Sequence, residues 1–321
     1  MSATAVFVVV ALHSGLVAAP PAPPTATPKT GQVVITEVTA GDPKKGAVFT
    51  ISVGDCKKAK GLLPEDPAEC GVVVALKRGG AGKSRLEWTA KSGPIARPND
   101  NRALIGNPED KEHQMTLRWS TVVVGNANQK AGINGLLITQ ETHGEKAKRR
   151  HDLFLARGGK MDHAFTAREG RGSKTWSEVS AADVDHDGGA EIVLMLASTN
   201  DEEVADTWEM QVYGWRADIA KIIARNDLHP AVKGAVIAMT RTVAEARKMA
   251  EDPCARELLV LDNKSADLLG DGQFVLAYPA PTKADAELAL EAVRACNPAL
   301  SGAVKPLANG VDVDSDFSAD D

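Results

Sequence analysis

Residues 176–197 read WSEVSAADVDHDGGAEIVLMLA. Asp183, Asp185 and Asp187 alternate, Gly188 follows, and Glu191 comes eight positions after Asp183. The aliphatic run Ile192–Leu196 comes next. Carboxylates on alternate residues converge only if the backbone curls around a common centre, and Gly188 supplies the sharp turn for that. Two carboxylates about 4 Å apart repel by about 4 kcal/mol at an effective dielectric of about 20. A hard divalent cation with oxygen ligands removes that cost, and calcium accepts the irregular geometry better than magnesium. The stretch therefore predicts two strands joined by a calcium-holding loop, against the plainer reading of a solvated Asp-Gly hairpin.

The loop is not an EF-hand. That loop needs a bidentate Glu at its twelfth position. Counting from Asp183, the twelfth is Leu194, inside the apolar run. The pattern resembles the aspartate loop of FG-GAP and VCBS-type repeats, found in integrin-like β-propellers and related extracellular β-proteins. The resemblance implies side-chain ligation by Asp183, Asp185, Asp187 and Glu191, with the Gly189 carbonyl completing the ring. Only one good copy occurs here, so a complete propeller is not implied.

Around this loop, residues 32–225 read mostly as strands: 33–39, 47–54, 71–77, 115–124, 134–141, 151–157, 176–183, 191–197 and 208–215. Gly, Pro, Asp and Asn clusters separate them. This predicts a β-rich domain over 32–227, as an antiparallel sandwich, barrel or partial propeller. All five tryptophans, Trp88, Trp119, Trp176, Trp208 and Trp215, fall here and read as core.

Two basic stretches invite other chemistry. KRGGAGKSR (77–85) imitates a phosphate loop, but Lys77 stands where that loop needs a Gly, and Gly93 and Pro94 leave no room for the helix that should follow. A basic hairpin turn fits better. KAKRRHD (146–152) could meet an acidic polymer, but reads first as a solvated, charge-protected strand edge. His151 and Asp152 are neighbours on a strand and face opposite ways, so they make no dyad. The seven histidines show no metal-ligand spacing, and no Ser sits in a GxSxG elbow. No catalytic residue is assigned.

Residues 232–307 change character. GAVIAMT, TVAEARKMAED, ELLVLD, GQFVLAY, TKADAELALEAVRAC and GAVKPL give β-α-β-β-α-β, the order of a small α+β ferredoxin-like domain. Thr242 with Glu245, and Thr282 with Asp285, have capping-box spacing. Ala286, Leu290 and Val293 share one helical face. GQFVLAYPAPTKADAELALEAVRA (272–295) is similar to the second half of a SPOR (sporulation-related repeat) domain. That resemblance implies binding of peptidoglycan glycan strands on the open sheet face. Strand alternation sets Gln273, Val275 and Ala277 on one face and Phe274, Leu276 and Tyr278 on the other, and the first set is expected to be the open one. Residues 308–321 read as a disordered acidic tail.

At 321 residues the chain can hold more than one domain. A net charge of −6 argues against a dedicated nucleic-acid binder. MSATAVFVVVALHSGLVAA (1–19) reads as a signal peptide, with a Pro-rich linker at 20–31 and no further membrane-spanning segment. The four cysteines agree with an oxidising compartment. Cys56 and Cys70 flank the base of an expected hairpin and should pair. Cys254 and Cys296 each end a helix in an antiparallel pair, which places them too far apart to bond. These readings combine into an exported, non-catalytic binding protein of the periplasm or cell envelope with a structural calcium ion. The alternatives are an envelope hydrolase with an inter-domain site and a protein-binding scaffold.

Overall fold

The computed structural model describes residues 33–57, 69–91, 101–106, 114–125, 132–143, 148–168, 175–199, 204–228, 233–255, 258–262, 273–300, 302–307 and 318–320. The expected signal peptide, the Pro-rich linker and Trp88's side chain lie outside the described residues. The chain is mostly β. No helix among the described residues is long and apolar enough to cross a membrane.

The first half builds a nearly closed, barrel-like sheet. Its strands are β1 (Val33–Ala40), β2 (Ala47–Lys57), β3 (Glu69–Arg78), β4 (Gly80–Lys91), β5 (Arg102–Ile105), β6 (Met115–Val124), β7 (Ile133–Thr142), β8 (Arg149–Arg157) and β9 (Gly159–Arg168). The spatial order is β1-β2-β3-β4-β9-β8-β7-β6-β5. All pairs are antiparallel except β4 with β9, which meet in parallel at Gly80↔Gly159 and Ala81↔Lys160. Gly80 has φ +153°, and a Cβ there would collide with the Gly159 backbone, so the closure needs glycine. The interior holds Phe49, Ile51, Val72, Val74, Leu117, Trp119, Leu136, Ile138 and Phe154. KRGGAGKSR forms the β3–β4 hairpin turn, with Leu76 opposite Gly82.

The second half builds β10 (Thr175–Ala182), β11 (Glu191–Thr199), β12 (Val204–Arg216), β13 (Lys221–Ala224), β14 (Lys233–Thr240), α1 (Val243–Ala250), β15 (Leu259–Asp262), β16 (Phe274–Ala280), α2 (Lys283–Cys296) and β17 (Ala303–Pro306). These strands make one sheet, β10-β11-β12-β15-β16-β14-β17, with β13 on β12. One face of β10–β12 packs on the outside of the first sheet, burying Leu137, Leu153, Leu155, Phe165, Ile192, Leu194 and Leu196 together. The sheet then curls. Trp208 of β12 and Ala197 of β11 lie against Val236, Leu259, Leu261, Val275 and Ala277 of β14–β16. The opposite face of β14–β16 carries both helices over Val260 and Leu276.

Both helices begin as their spacing predicts. Thr242 accepts from the Glu245 N–H at 3.2 Å and Thr282 from the Asp285 N–H at 3.1 Å. Ala286, Leu290 and Val293 form the buried face of α2.

The structure corrects four expectations. Val275 and Ala277 are fully buried beneath Trp208, so the sheet face proposed for glycan is filled by the protein's own side chains. Gln273 at its end is half-buried. Cys254 and Cys296 form a disulfide, with Cα atoms 5.6 Å apart. The error was to set Cys254 on the helix. α1 stops at Ala250, and a 3-10 turn at Pro253–Ala255 carries Cys254 against α2. Asp252 in the same segment accepts from Asn297 Nδ2 at 2.7 Å. Thirdly, Ser318–Asp320 of the acidic tail form β18 antiparallel to β9, using an edge left open beyond the β4 contact. Finally, β8 is a central strand, and Arg149 and Arg150 are not solvated. Cys70 is disulfide-bonded, and the register Gly54↔Gly71 and Lys57↔Glu69 brackets it with Cys56, whose side chain lies outside the described residues.

Candidate metal-binding loop

β10 and β11 pair in continuous register down to Ala182↔Glu191, so residues 183–190 are a pure connection. Its conformation follows from its own carboxylates. Asp183 Oδ2 accepts from the Gly188 N–H at 3.0 Å, Asp185 Oδ1 from the Asp187 N–H at 3.2 Å, and Asp187 Oδ1 from the Gly189 N–H at 2.8 Å. Glu191 Oε2 closes the ring on the Val184 N–H at 2.8 Å. His186 (φ +59°) and Gly188 (φ +89°) are left-handed, which wraps the backbone around the acidic oxygens. The end of the loop is tied to the first sheet, where the Ala190 N–H donates to the Val123 carbonyl at 3.0 Å.

Asp183, Asp185 and Asp187 each present a carboxylate oxygen within 4.8 Å of the other two. Asp183 Oδ1 is buried and has no hydrogen-bond partner among the described residues. An orphaned buried carboxylate oxygen is costly unless something positive fills the space beside it. Burial pushes the Glu191 carboxyl above its usual range, against the pull of the Val184 N–H, and Asp185, Asp187 and Asp183 push it the same way. A neighbouring cation is Arg225, 3.6 Å from Asp185 Oδ2, but its guanidinium already forks onto Asp227 at 2.9 Å. The donor set is all oxygen and mostly charged, which suits a hard divalent ion. The structure thus brings together Asp183, Asp185 and Asp187. Glu191 borders them while bound to backbone, and Gly189 is buried with its N–H on Asp187.

A second polar cluster joins the two sheets. His151 is fully buried, with Nδ1 2.9 Å from Thr139 Oγ1 and Nε2 3.0 Å from Ser177 Oγ. Beside it Arg149 bonds the Ser177 carbonyl at 2.7 Å and Glu141 at 3.2 Å, and Arg118 bonds Glu178 at 2.7 Å. Burial above all, then the charges of Arg118 and Arg149, push His151 down to about 3, so it is neutral at physiological pH. Burial opposes ionisation of Glu141, but Arg149 and Arg118 prevail and hold it below its usual range. The Ser177–His151 pair resembles a nucleophile and base in distance alone. Both residues are fully buried, so no substrate reaches them.

Asp152 faces the other way, as strand alternation predicts. It bonds Arg150 at 2.8 and 2.9 Å, His163 at 2.7 Å and Thr166 at 2.8 Å. Sequence reasoning missed this network because its members are spread over separate strands, with Arg118 and Glu178 sixty positions apart. The only signal was basic residues set within a strand-like run.

Searches against protein-family models, curated proteins and solved structures found no match.

Proposed function

We propose that this protein is an exported, non-catalytic binding protein of the cell envelope, whose β scaffold is pinned by a calcium ion in the Asp183–Glu191 loop. The observation that carries the reading is the convergence of three carboxylates, one with a buried, unpartnered oxygen. The ion's role is structural: binding to the folded form alone stabilises it by mass action. Its position suits that role, because the loop joins β10 to β11 and is bonded to β6 of the other sheet. The strand–loop–strand setting supports the likeness to FG-GAP-type aspartate loops. The Cys254–Cys296 disulfide supports an oxidising compartment.

In the C-terminal unit, the order β15-β16-β14-β17 with both helices on one face supports the ferredoxin-like reading. Because Trp208 fills the other face, any ligand of this unit approaches from the helix side. The experiment is calorimetric titration of the metal-stripped chain with calcium and with magnesium. One calcium should bind, more tightly than magnesium, and Asp183→Asn should weaken it by about tenfold or more, since charged oxygen ligands set affinity. No saturable calcium heat would end the proposal.

A further inference from the structure

A cavity of about 510 Å³ opens where α2 faces the β5 end of the first sheet. It shares no residue with the aspartate loop, so its occupancy does not depend on calcium. Its apolar wall includes Leu258, Ala289 and Val293, and the Cys254–Cys296 disulfide. Polar side chains line it as well, among them Arg102, Asp285 and Ser180. Arg102 is exposed and makes no ion pair among the described residues, whereas Arg118, opposite it in the β5–β6 register, is tied to Glu178. Asp285 spends one carboxylate oxygen on Thr282 Oγ1 at 2.6 Å and does not pair with Arg102. Ser180 Oγ is buried without a hydrogen-bond partner among the described residues.

A cation and a carboxylate that line one half-apolar cavity without joining each other call for a ligand carrying both complements. We propose that this cavity binds a dipeptide-sized zwitterion with an apolar body, its carboxylate on Arg102 and its ammonium on Asp285. The aliphatic side chains of the ligand lie along Leu258, Ala289 and Val293. The volume falls within the ordinary range for small-molecule sites, about 300–1,000 Å³.

The test is calorimetric titration of the full chain with L-leucyl-L-leucine, its C-terminal amide and its N-acetyl form. The free dipeptide should bind saturably, with each blocked form weaker by about tenfold or more, the weight of one charge-assisted contact. Arg102→Ala should weaken the free dipeptide by a similar factor and leave the amide unchanged. Asp285→Asn, which keeps an oxygen for Thr282, should weaken the free dipeptide and leave the N-acetyl form unchanged. Ala289→Trp should fill the cavity and abolish binding. Absence of saturable binding overturns the proposal. So does equal affinity for the blocked forms, or indifference to Arg102→Ala, which replaces an exposed side chain and leaves the fold intact.

Discussion

Asp187→Asn separates the two jobs that the aspartate loop could have. Asparagine keeps an oxygen for the Gly189 N–H, now bonded at 2.8 Å, so the turn survives. It removes one of three charges whose oxygens lie within 4.8 Å. At that spacing each pair repels by about 3.5 kcal/mol for an effective dielectric of about 20 and by under about 1 kcal/mol in bulk water. Asp185 is exposed and the others half-buried, so the weaker figure is the better guide. The metal-free variant should therefore match or slightly exceed the wild type in thermal stability.

With calcium the order reverses. At about 100 times Kd the ion adds about 2.7 kcal/mol to the wild type. For a cooperative unit of this size that is a rise of roughly 4 °C in Tm. The variant should show a small fraction of it. Melting curves by circular dichroism, in EDTA and in calcium, give four midpoints. A wild type that melts identically in both refutes a stabilising ion, and so does an Asp187→Asn variant that keeps the full calcium shift. A variant destabilised in EDTA is equally damaging, because the charge would then be serving the turn.

His151 binds a proton at about 6.5 when unfolded but only near 3 when folded, so stability should fall as pH drops through that interval, approaching ~1.4 kcal/mol per pH unit. Denaturant midpoints against pH should show this slope, and His151→Gln should flatten it. Replacing Cys254 and Cys296 by Ser opens a link across 42 positions and should cost about 2–4 kcal/mol, read by urea denaturation with and without reductant. Trp208→Ala should cost about 3–5 kcal/mol, because its side chain is 1% exposed between β12 and β14–β16. A loss below ~1 kcal/mol would mean that the curled sheet is not packed as described.

Much of the β framework was legible because its strands advertise themselves. β7 and β11 are runs of six or seven buried residues built on the aliphatic stretches Leu136–Ile138 and Ile192–Leu196, and such stretches between turn residues have few other uses. β9 was not legible. GKMDHAFTAR buries only Phe165, Thr166 and Ala167 at its far end, and its first half is held by backbone pairing that polar side chains do not announce. β4 was hidden likewise by its glycines and lysines. The aspartate loop could be read because its acidic residues lie within nine positions. The Arg149–Glu141–Ser177 contacts could not, since charge reads as surface until partners from distant strands are known. Cys254 misled for a local reason: a helix ending one turn early changes where its neighbours go.

The seam between β12 and β15 is narrow, with only Val204↔Val260 and Ala205↔Leu261 in register among the described residues. Yet nearly everything behind Trp208 depends on it. A protease cut after Leu228 would strip the cover from that indole and bare a hydrogen-bonding strand border. The shortened chain would be a self-adhesive fragment prone to clumping, so swapping the last third between proteins should work only if the graft begins upstream of Val204.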